Sequence, residues 1–162
     1  MGLEQIWSPW RRAYVTDGAR DPGCVLCRSR ERAAEVDSLV VHVAARNFIV
    51  MNLYPYNAGH IMIAPARHLG SLAEATADEL AEMGTLSQRL ETVMAELYTP
   101  DGINVGMNLG KAAGAGVADH IHLHMVPRWV GDTNFMTSVG GTRVIPEDPV
   151  EARNRLRERF DK

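Results

Sequence analysis

The sequence predicts an α+β fold: an antiparallel sheet of about five strands, covered on one side by one long helix, with a short C-terminal helix. Two observations lead to this prediction. Short segments rich in branched and aromatic residues are separated by turn-forming residues. A single long amphipathic segment divides these short segments into two groups.

The composition bounds the size and class of the protein. With 162 residues, of which 46% are hydrophobic and 23% charged, the chain has the size of one globular domain with a core. We expect residues 1–23 to form an N-terminal arm and residues 24–162 to form the single domain. A net charge of −3 gives no basic field for long nucleic acid, and no apolar stretch resembles a membrane span or a signal peptide. We therefore expect a soluble, cytoplasmic protein.

The first third of the chain predicts an arm, a turn and a hairpin. Residues 6–14 place two tryptophans beside a proline and two arginines, which is typical of an ordered arm. Residues 23–27 predict a turn, and the charged residues 28–37 predict a surface helix or loop. Two short runs rich in branched residues, 38–42 and 47–51, predict a hairpin.

The middle of the chain predicts a third strand and the long helix. Residues 53–59 are a turn-forming insert, and residues 60–64 alternate in hydropathy until a proline ends them. The helix begins after Thr76, whose hydroxyl can form a capping box with Glu79, and Pro100 follows its end. Its apolar residues recur at helical spacing: Leu80, Met83, Leu86, Leu90, Val93, Met94 and Leu97.

The last third predicts two strands and a short helix. Residues 102–108 predict the fourth strand, residues 109–117 a glycine-rich loop and residues 120–128 the fifth strand. Residues 149–160 have the caps and charges of a short helix. Residues 131–145 are ambiguous, and a hairpin around their paired glycines is one interpretation.

Three histidines on one predicted strand are the main chemical signal. Alternate side chains of a strand share a face, so His120, His122 and His124 point one way while the apolar residues between them point to the core. A single strand histidine, such as His42, is usually a surface or hydrogen-bonded residue. Three on one face repel one another when charged and are costly to bury when neutral, which indicates a ligand site.

The glycine-rich loop lies directly before these histidines. Its glycines, which include Gly114 and Gly116, allow backbone N–H groups to approach an anion closely. Such a loop is weak evidence alone, but this position places amide donors where a phosphate facing His122 lies. A neutral imidazole can attack phosphorus if its other nitrogen is held protonated by a fixed acceptor, and a strand carbonyl is such an acceptor.

Residues 120–126 resemble the histidine-triad (HIT) motif, in which three histidines alternate with apolar residues. Residues 51–65 resemble the nucleoside-binding strands and turn of that family, and the resemblance runs from about residue 7 to residue 129. The segments 7–10 and 127–129 resemble the bacterial branch with diadenosine polyphosphate hydrolases and phosphorylases. In that phosphorylase-type branch a Gly-Ser pair stands where this chain has Ala115-Gly116, which leaves the acceptor, water or phosphate, open.

The resemblance implies roles for individual residues. His122 is the nucleophile that forms a nucleotidyl-histidine, His124 contacts phosphate oxygens, and His60 supports His120, the first histidine of the triad. The substrate is a purine nucleotide or a dinucleoside polyphosphate such as diadenosine tetraphosphate. The implied binding residues are Asn52 at the ribose, and Asn108, Gly114, Gly116 and Val117 at the α-phosphate. The resemblance also implies a homodimer or larger homo-oligomer, and we expect no organic cofactor.

Cys24 and Cys27 are open to three interpretations: half of a zinc site, a redox pair, or two buried thiols. Zinc needs two further ligands. HIT relatives with this cysteine pair use a histidine at each of two places, here His68 and His120, so the resemblance implies a structural zinc. A surface histidine is the alternative for His68.

Two other functions fit the same residues. The first is a metal-dependent hydrolase with His120, His122 and His124 as ligands of a catalytic zinc, although no suitably placed carboxylate accompanies them. The second is a nucleotide-binding regulatory module with little turnover. Activity that survives chelation distinguishes an enzyme with a histidine nucleophile from a metal-dependent hydrolase. Release of AMP from a diadenosine polyphosphate distinguishes that enzyme from a regulatory module.

Overall fold

The computed structural model describes residues 23–132 and 147–162. Within these residues a five-stranded antiparallel sheet has the order β1-β2-β3-β5-β4. Its strands are β1 (Val40–Val43), β2 (Asn47–Met51), β3 (Ile61–Pro65), β4 (Gly102–Met107) and β5 (Leu123–Arg128). The predicted arm lies almost entirely outside the described residues, and so does the ambiguous glycine-pair hairpin.

Three α-helices accompany the sheet in the described part of the chain: α1 (Val25–Glu31), α2 (Ala77–Tyr98) and α3 (Pro149–Phe160). Two short 3-10 helices, Leu72–Glu74 and Lys111–Ala113, lie in the connections. Over these residues no helix is both long and apolar enough to cross a membrane.

The long helix begins as the sequence predicts. The Thr76 hydroxyl accepts the Glu79 N–H at 3.2 Å, and the Glu79 carboxylate accepts the Thr76 N–H at 2.7 Å. These two bonds form the capping box, which satisfies donors that have no partner in the first helical turn. At the other end Thr99 has a left-handed backbone with φ 42°, and the helix stops before Pro100.

The sheet separates two apolar clusters. One face packs against α2 and α3 through residues such as Ile49, Ile63 and Met125. The other face packs a smaller cluster, which includes Phe48 and Met62, against α1. The predicted α+β class with an antiparallel sheet of five strands is therefore confirmed, and α1 adds partial cover on the second face.

Most strand boundaries shift by one or two residues from the predictions, and two larger differences affect the site. Residues 23–27 are not only a turn, because Cys24 caps α1 and its carbonyl accepts the Arg28 N–H at 3.1 Å. The fifth strand begins at Leu123 instead of residue 120. His120 and Ile121 are outside the sheet pairing because they bond a neighbouring loop: the Ile121 N–H donates to the Leu69 carbonyl at 2.9 Å.

Candidate active site

A pocket of about 380 Å³ lies on the face of the sheet that carries α1. Val50 and Met62 form an apolar floor, and His122 and His124 stand at one end. The residues that the sequence assigns to nucleotide binding also line it, except His60: Asn52, Asn108, Gly114, Gly116 and Val117.

The register of the sheet explains why two of the three histidines face this pocket. β3 and β5 are antiparallel, with Met62 opposite His124 and Ile61 opposite Met125. Met62 lies in the cluster on the pocket face, while Met125 lies in the core beneath α2. His124 therefore shares the pocket face with Met62, and His122, two residues earlier, points the same way although it precedes the strand.

His122 has one ring nitrogen held by the backbone. Its Nδ1 lies 2.9 Å from the carbonyl oxygen of His120, and a carbonyl only accepts, so Nδ1 carries the proton. The side chain is 6% exposed. Burial lowers the pKa of His122, while the hydrogen bond to His120 opposes that change. The neutral ring therefore has a lone pair on Nε2, which is what a nucleophile requires.

A second chain of hydrogen bonds determines the proton on His124. The Tyr56 N–H donates to Nδ1 of His60 at 2.9 Å, so the His60 proton is on Nε2. That Nε2 donates to Nδ1 of His124, also at 2.9 Å. The neutral His124 ring therefore carries its own proton on Nε2 and is a hydrogen-bond donor. The sequence prediction paired His60 with His120, whereas the structure pairs it with His124.

His120 turns away from the pocket. Its Nε2 donates to the Pro65 carbonyl at 2.9 Å, which leaves the lone pair on Nδ1. Burial is the main reason that the pKa of His120 is lowered. Its carbonyl orients His122 while its ring faces the cysteines, so one residue joins two neighbouring sites. The prediction that all three triad rings share one strand face is therefore wrong for this residue.

The four predicted metal ligands come together. Nδ1 of His120 lies 3.3 Å from Sγ of Cys24 and 3.5 Å from Sγ of Cys27, and Nδ1 of His68 lies 3.5 Å from Cys27. All four ligand atoms are within 4.8 Å of one another. Burial is the main reason that the pKa of Cys27 is raised, and the neighbouring Cys24 adds to it.

These positions fit a zinc ion. Zinc bonds of about 2.3 Å to sulfur and about 2.0 Å to nitrogen in a tetrahedral shell separate the two atoms by about 3.5 Å. The sulfur-to-nitrogen distances match that separation. The hydrogen bond from His120 Nε2 to the Pro65 carbonyl leaves Nδ1 as the nitrogen with a lone pair, on the side of the cysteines. Metal-binding histidines commonly donate their other ring N–H to a carbonyl in this way.

The glycine-rich loop contains two glycines with positive φ. Gly110 and Gly114 have φ values of 80° and 89°, which residues with a Cβ rarely adopt. Between them the 3-10 helix Lys111–Ala113, which the sequence did not predict, turns the chain back toward Asn108. A Cβ added at Gly114 would lie 4.0 Å from Nδ2 of Asn108, an ordinary contact distance, so the backbone angle and not lack of space favours glycine there.

Neighbouring groups hold the side chain of Asn52 in the pocket lining. Its Oδ1 accepts the Tyr54 N–H at 2.9 Å, and its Nδ2 lies 3.4 Å from the His60 ring. These contacts leave the side chain in one orientation beside the apolar floor. The segment between α1 and β1, with Glu35 and Asp37, also lines the pocket. The sequence did not predict that contribution, because charged residues in a loop are most often only solvated.

A model of the HIT domain matches residues 33–130, more than half of the chain. The chain therefore belongs to the HIT domain family. It is 38% identical over 152 residues to an AP-4-A phosphorylase from Mycobacterium tuberculosis, covering 90% of this chain and 78% of that protein. It is 33% identical over 82 residues to a bis(5'-adenosyl)-triphosphatase from Dictyostelium discoideum, covering 51% of this chain and 54% of that protein.

Solved structures give the same family. A Zn-bound histidine triad family protein from Mycobacterium smegmatis superimposes with a TM-score of 0.68 at 28% identity, covering 86% of this chain and 94% of that chain. A hypothetical histidine triad nucleotide-binding protein from Sulfolobus tokodaii gives 0.69 at 26% identity, covering 85% and 92%. The predicted class, a HIT-family hydrolase or transferase, is confirmed at the level of the family.

Proposed function

We propose that the protein cleaves dinucleoside polyphosphates, with diadenosine tetraphosphate as the model substrate, through a nucleotidyl-histidine on His122. The hydrogen bond from His122 Nδ1 to the His120 carbonyl carries this proposal, because it leaves Nε2 as a lone pair in the pocket. The similarity to an AP-4-A phosphorylase over most of the chain supports the substrate class.

In the first step Nε2 of His122 attacks the α-phosphorus. A phosphorus–nitrogen bond forms, and the bond from phosphorus to the oxygen of the leaving polyphosphate breaks. The leaving oxygen takes the electron pair and accepts a hydrogen bond from Nε2 of His124, whose proton is maintained by His60. The backbone N–H groups between Gly114 and Val117 stabilise the charge on the phosphoryl oxygens.

In the second step an acceptor oxygen attacks the phosphorus and the bond to His122 breaks. Water releases a nucleoside monophosphate and a proton, whereas inorganic phosphate releases a nucleoside diphosphate. Neither Ala115 nor Gly116 offers a hydroxyl to bind phosphate, so this loop favours neither acceptor. Asn52 holds the ribose and Asn108 the α-phosphate in both steps.

Product analysis tests the proposal. Diadenosine tetraphosphate is incubated with the protein in water with and without inorganic phosphate, and the nucleotides are separated. AMP with ATP indicates hydrolysis, and ADP with ATP indicates phosphorolysis. Stopping the reaction with alkali should also retain adenylate on His122, because phosphorus–nitrogen bonds to histidine survive alkali. No cleavage in either buffer would contradict the proposal and favour the regulatory module.

We also propose that Cys24, Cys27, His68 and His120 bind a zinc ion. Two thiolates and two imidazoles would complete a tetrahedral shell with no position for water, so a bound ion would stabilise the fold and activate no nucleophile. The division of the triad between two sites disfavours the metal-dependent hydrolase. His120 faces the cysteines, whereas His122 and His124 line the pocket.

The assembly and cellular location are also proposals. β4 is an edge strand, and most of its residues are exposed, with Val105 at 55%. An exposed edge strand can pair with a second copy, so we propose a homodimer through β4. Light scattering of the wild type and of Val105→Glu tests it: a monomeric wild type would contradict the proposal. The predicted domain boundaries and the cytoplasmic location stay predictions.

A further inference from the structure

One wall of the pocket has little support from the sheet. This outer wall, residues 35–39, connects α1 to β1 and contributes Glu35, Asp37, Ser38 and Leu39 to the pocket lining. Local turns provide two bonds, in which the Glu35 and Ser38 N–H groups donate to carbonyls three residues earlier. Two bonds connect it to the sheet: the Leu39 carbonyl accepts the Met51 N–H at 2.9 Å, and the Ser38 hydroxyl accepts the Val40 N–H at 3.1 Å.

Two arginines of α3 support this wall from behind. Arg153 donates from Nη2 to the carbonyl of Val36, in the middle of the outer wall. Arg157 donates to the carbonyls on either side of the wall: Nη2 to Ala33 at 3.4 Å and to Val40 at 2.8 Å. Two of these carbonyls, of Ala33 and Val36, lie in the connection between α1 and β1, and the third belongs to Val40, the first residue of β1.

Arg157 also binds an irregularity in β1. Val40 is opposite Val50, but His42 is opposite Ile49, so Val41 is an extra residue in a bulge. Nε of Arg157 donates to the Val41 carbonyl at 3.2 Å. A bulge redirects the chain next to it, and Arg157 binds the carbonyl of the bulged residue, two positions from the end of the outer wall.

The burial of Arg153 indicates that its role is specific. The residue is 3% exposed, and its Nε has no hydrogen-bond partner among the described residues. A buried guanidinium with an unsatisfied N–H costs free energy that a well-packed apolar side chain of similar size would not. A side chain selected only for packing would not need that charge, whereas a guanidinium can bind the Val36 carbonyl.

We propose that Arg153 and Arg157 are positioning residues that hold the outer wall in place for nucleoside binding. α3 lies outside residues 33–130, which the HIT domain model matches, so nucleoside affinity depends on an element beyond that region. The inference rests on the proposed function, because the ligand is the nucleoside of the proposed substrate. Neither arginine lines the pocket or contacts His122, so the chemical steps do not depend on them.

The experiment measures AMP affinity by calorimetry and turnover of diadenosine tetraphosphate for Arg157→Met and Arg157→Lys. Arg157→Met should raise the Kd for AMP and the KM about tenfold while kcat changes less than about twofold, since a mispositioned wall weakens ground-state and transition-state binding equally. Arg157→Lys keeps the charge but loses the fork that binds two carbonyls, so it should restore affinity only in part.

Arg159→Met is the matched control. Arg159 is on the same helix and half exposed, and its ion pair with Glu96 at 3.6 Å does not contact the wall. It should leave Kd, KM and kcat unchanged. Measurements well below each melting temperature separate positioning from stability. If Arg157→Met does not fold, Arg153→Lys and Arg157→Lys provide the same comparison.

Two results would overturn the inference, and they are distinguishable. If the wild type binds AMP and folded Arg157 variants bind it equally well, the arginines are only structural, and the proposed function stands. If the wild type neither binds AMP nor cleaves the dinucleotide, the proposed function fails and this inference fails with it.

Discussion

Nε2 of His60 donates a hydrogen bond to Nδ1 of His124 at 2.9 Å. The direction of this bond is determined by a main-chain group, because the Tyr56 N–H occupies the other nitrogen of His60. A completely buried histidine on the approach to β3 thus determines which nitrogen of a pocket histidine carries a proton.

Replacing His60 should therefore impair chemistry more than binding. His60→Phe keeps an aromatic ring but has no N–H for His124, and we expect kcat to fall by roughly 10- to 100-fold, below the usual range for a complete loss of proton-transfer assistance. KM should change less than about threefold. His60→Gln, whose amide can donate to His124, should recover part of kcat. Equal kinetics for His60→Phe and wild type would show that His124 needs no donor.

The two pocket histidines should differ in their effects on turnover. His122→Ala removes the proposed nucleophile, and we expect turnover to fall by about 10⁴-fold or more with AMP affinity retained. His124→Ala removes one donor to the leaving group, and a loss of about 10²- to 10³-fold is expected. Steady-state kinetics and AMP titration check both.

His42→Ala is the control for these variants. Its ring packs on Phe160 and lies 3.3 Å from Asp161, away from the pocket. It should keep normal turnover. Substantial activity in His122→Ala would contradict a histidine intermediate.

Zinc removal should affect stability before mechanism. We expect about one zinc per chain in purified protein, and a lower zinc content and a melting temperature several degrees lower in Cys27→Ser. Elemental analysis and thermal unfolding measure both, with Glu91→Gln on the exposed face of α2 as the control. Activity should decline only to the extent that loss of the metal displaces His120 and, with it, the position of His122. Wild type that contains no metal when freshly purified, together with unchanged stability in Cys27→Ser, would contradict the zinc proposal.

Glu79 should contribute stability that is lost in acid. Arg67 binds both of its oxygens, at 3.0 and 2.9 Å, and with the Thr76 N–H lowers the pKa of Glu79 from 4.5 to about 2. A carboxylate with a lower pKa in the folded state stabilises the fold above the unfolded value, and loses this contribution as the pH falls through the folded value.

Glu79→Gln should therefore unfold more easily at pH 7, by about 1 to 2 kcal/mol. The difference between wild type and variant should shrink as the pH falls from 4.5 toward about 2. Urea denaturation at a series of pH values measures it. A difference that is independent of pH would show that the Glu79 charge is unimportant. Glu91→Gln, at an exposed position of the same helix, is the control.

Local patterns predicted the fold better than they predicted the contacts within the site. The capping box at Thr76 and Glu79 involves residues three apart, so the sequence contains everything needed to predict it. The turn of His120 toward the cysteines depends on Pro65, which is 55 residues away. Strand periodicity alone therefore predicted the wrong direction for that ring, although it was correct for His124.

Contacts between distant segments were the least predictable. The spacing of residues does not indicate that His60 bonds His124 instead of His120, because the two partners are 64 positions apart in the chain. Arg157 meets the Val40 carbonyl over 117 positions, and the bulge that frees this carbonyl depends on sheet register. In the sequence both arginines of α3 have the pattern of solvated charges on a short helix.

The carbonyl of His120 is a main-chain atom, and every amino acid at that position would supply it. The protonation pattern of His122 is therefore largely independent of which side chain occupies position 120, as long as the local backbone is retained. The pattern of His124, in contrast, depends on the side chain of His60. Point mutations therefore affect the two pocket histidines unequally. The protonated nitrogen of His122 does not change when the neighbouring side chain is replaced. The protonated nitrogen of His124 can change when a single nucleotide change replaces His60.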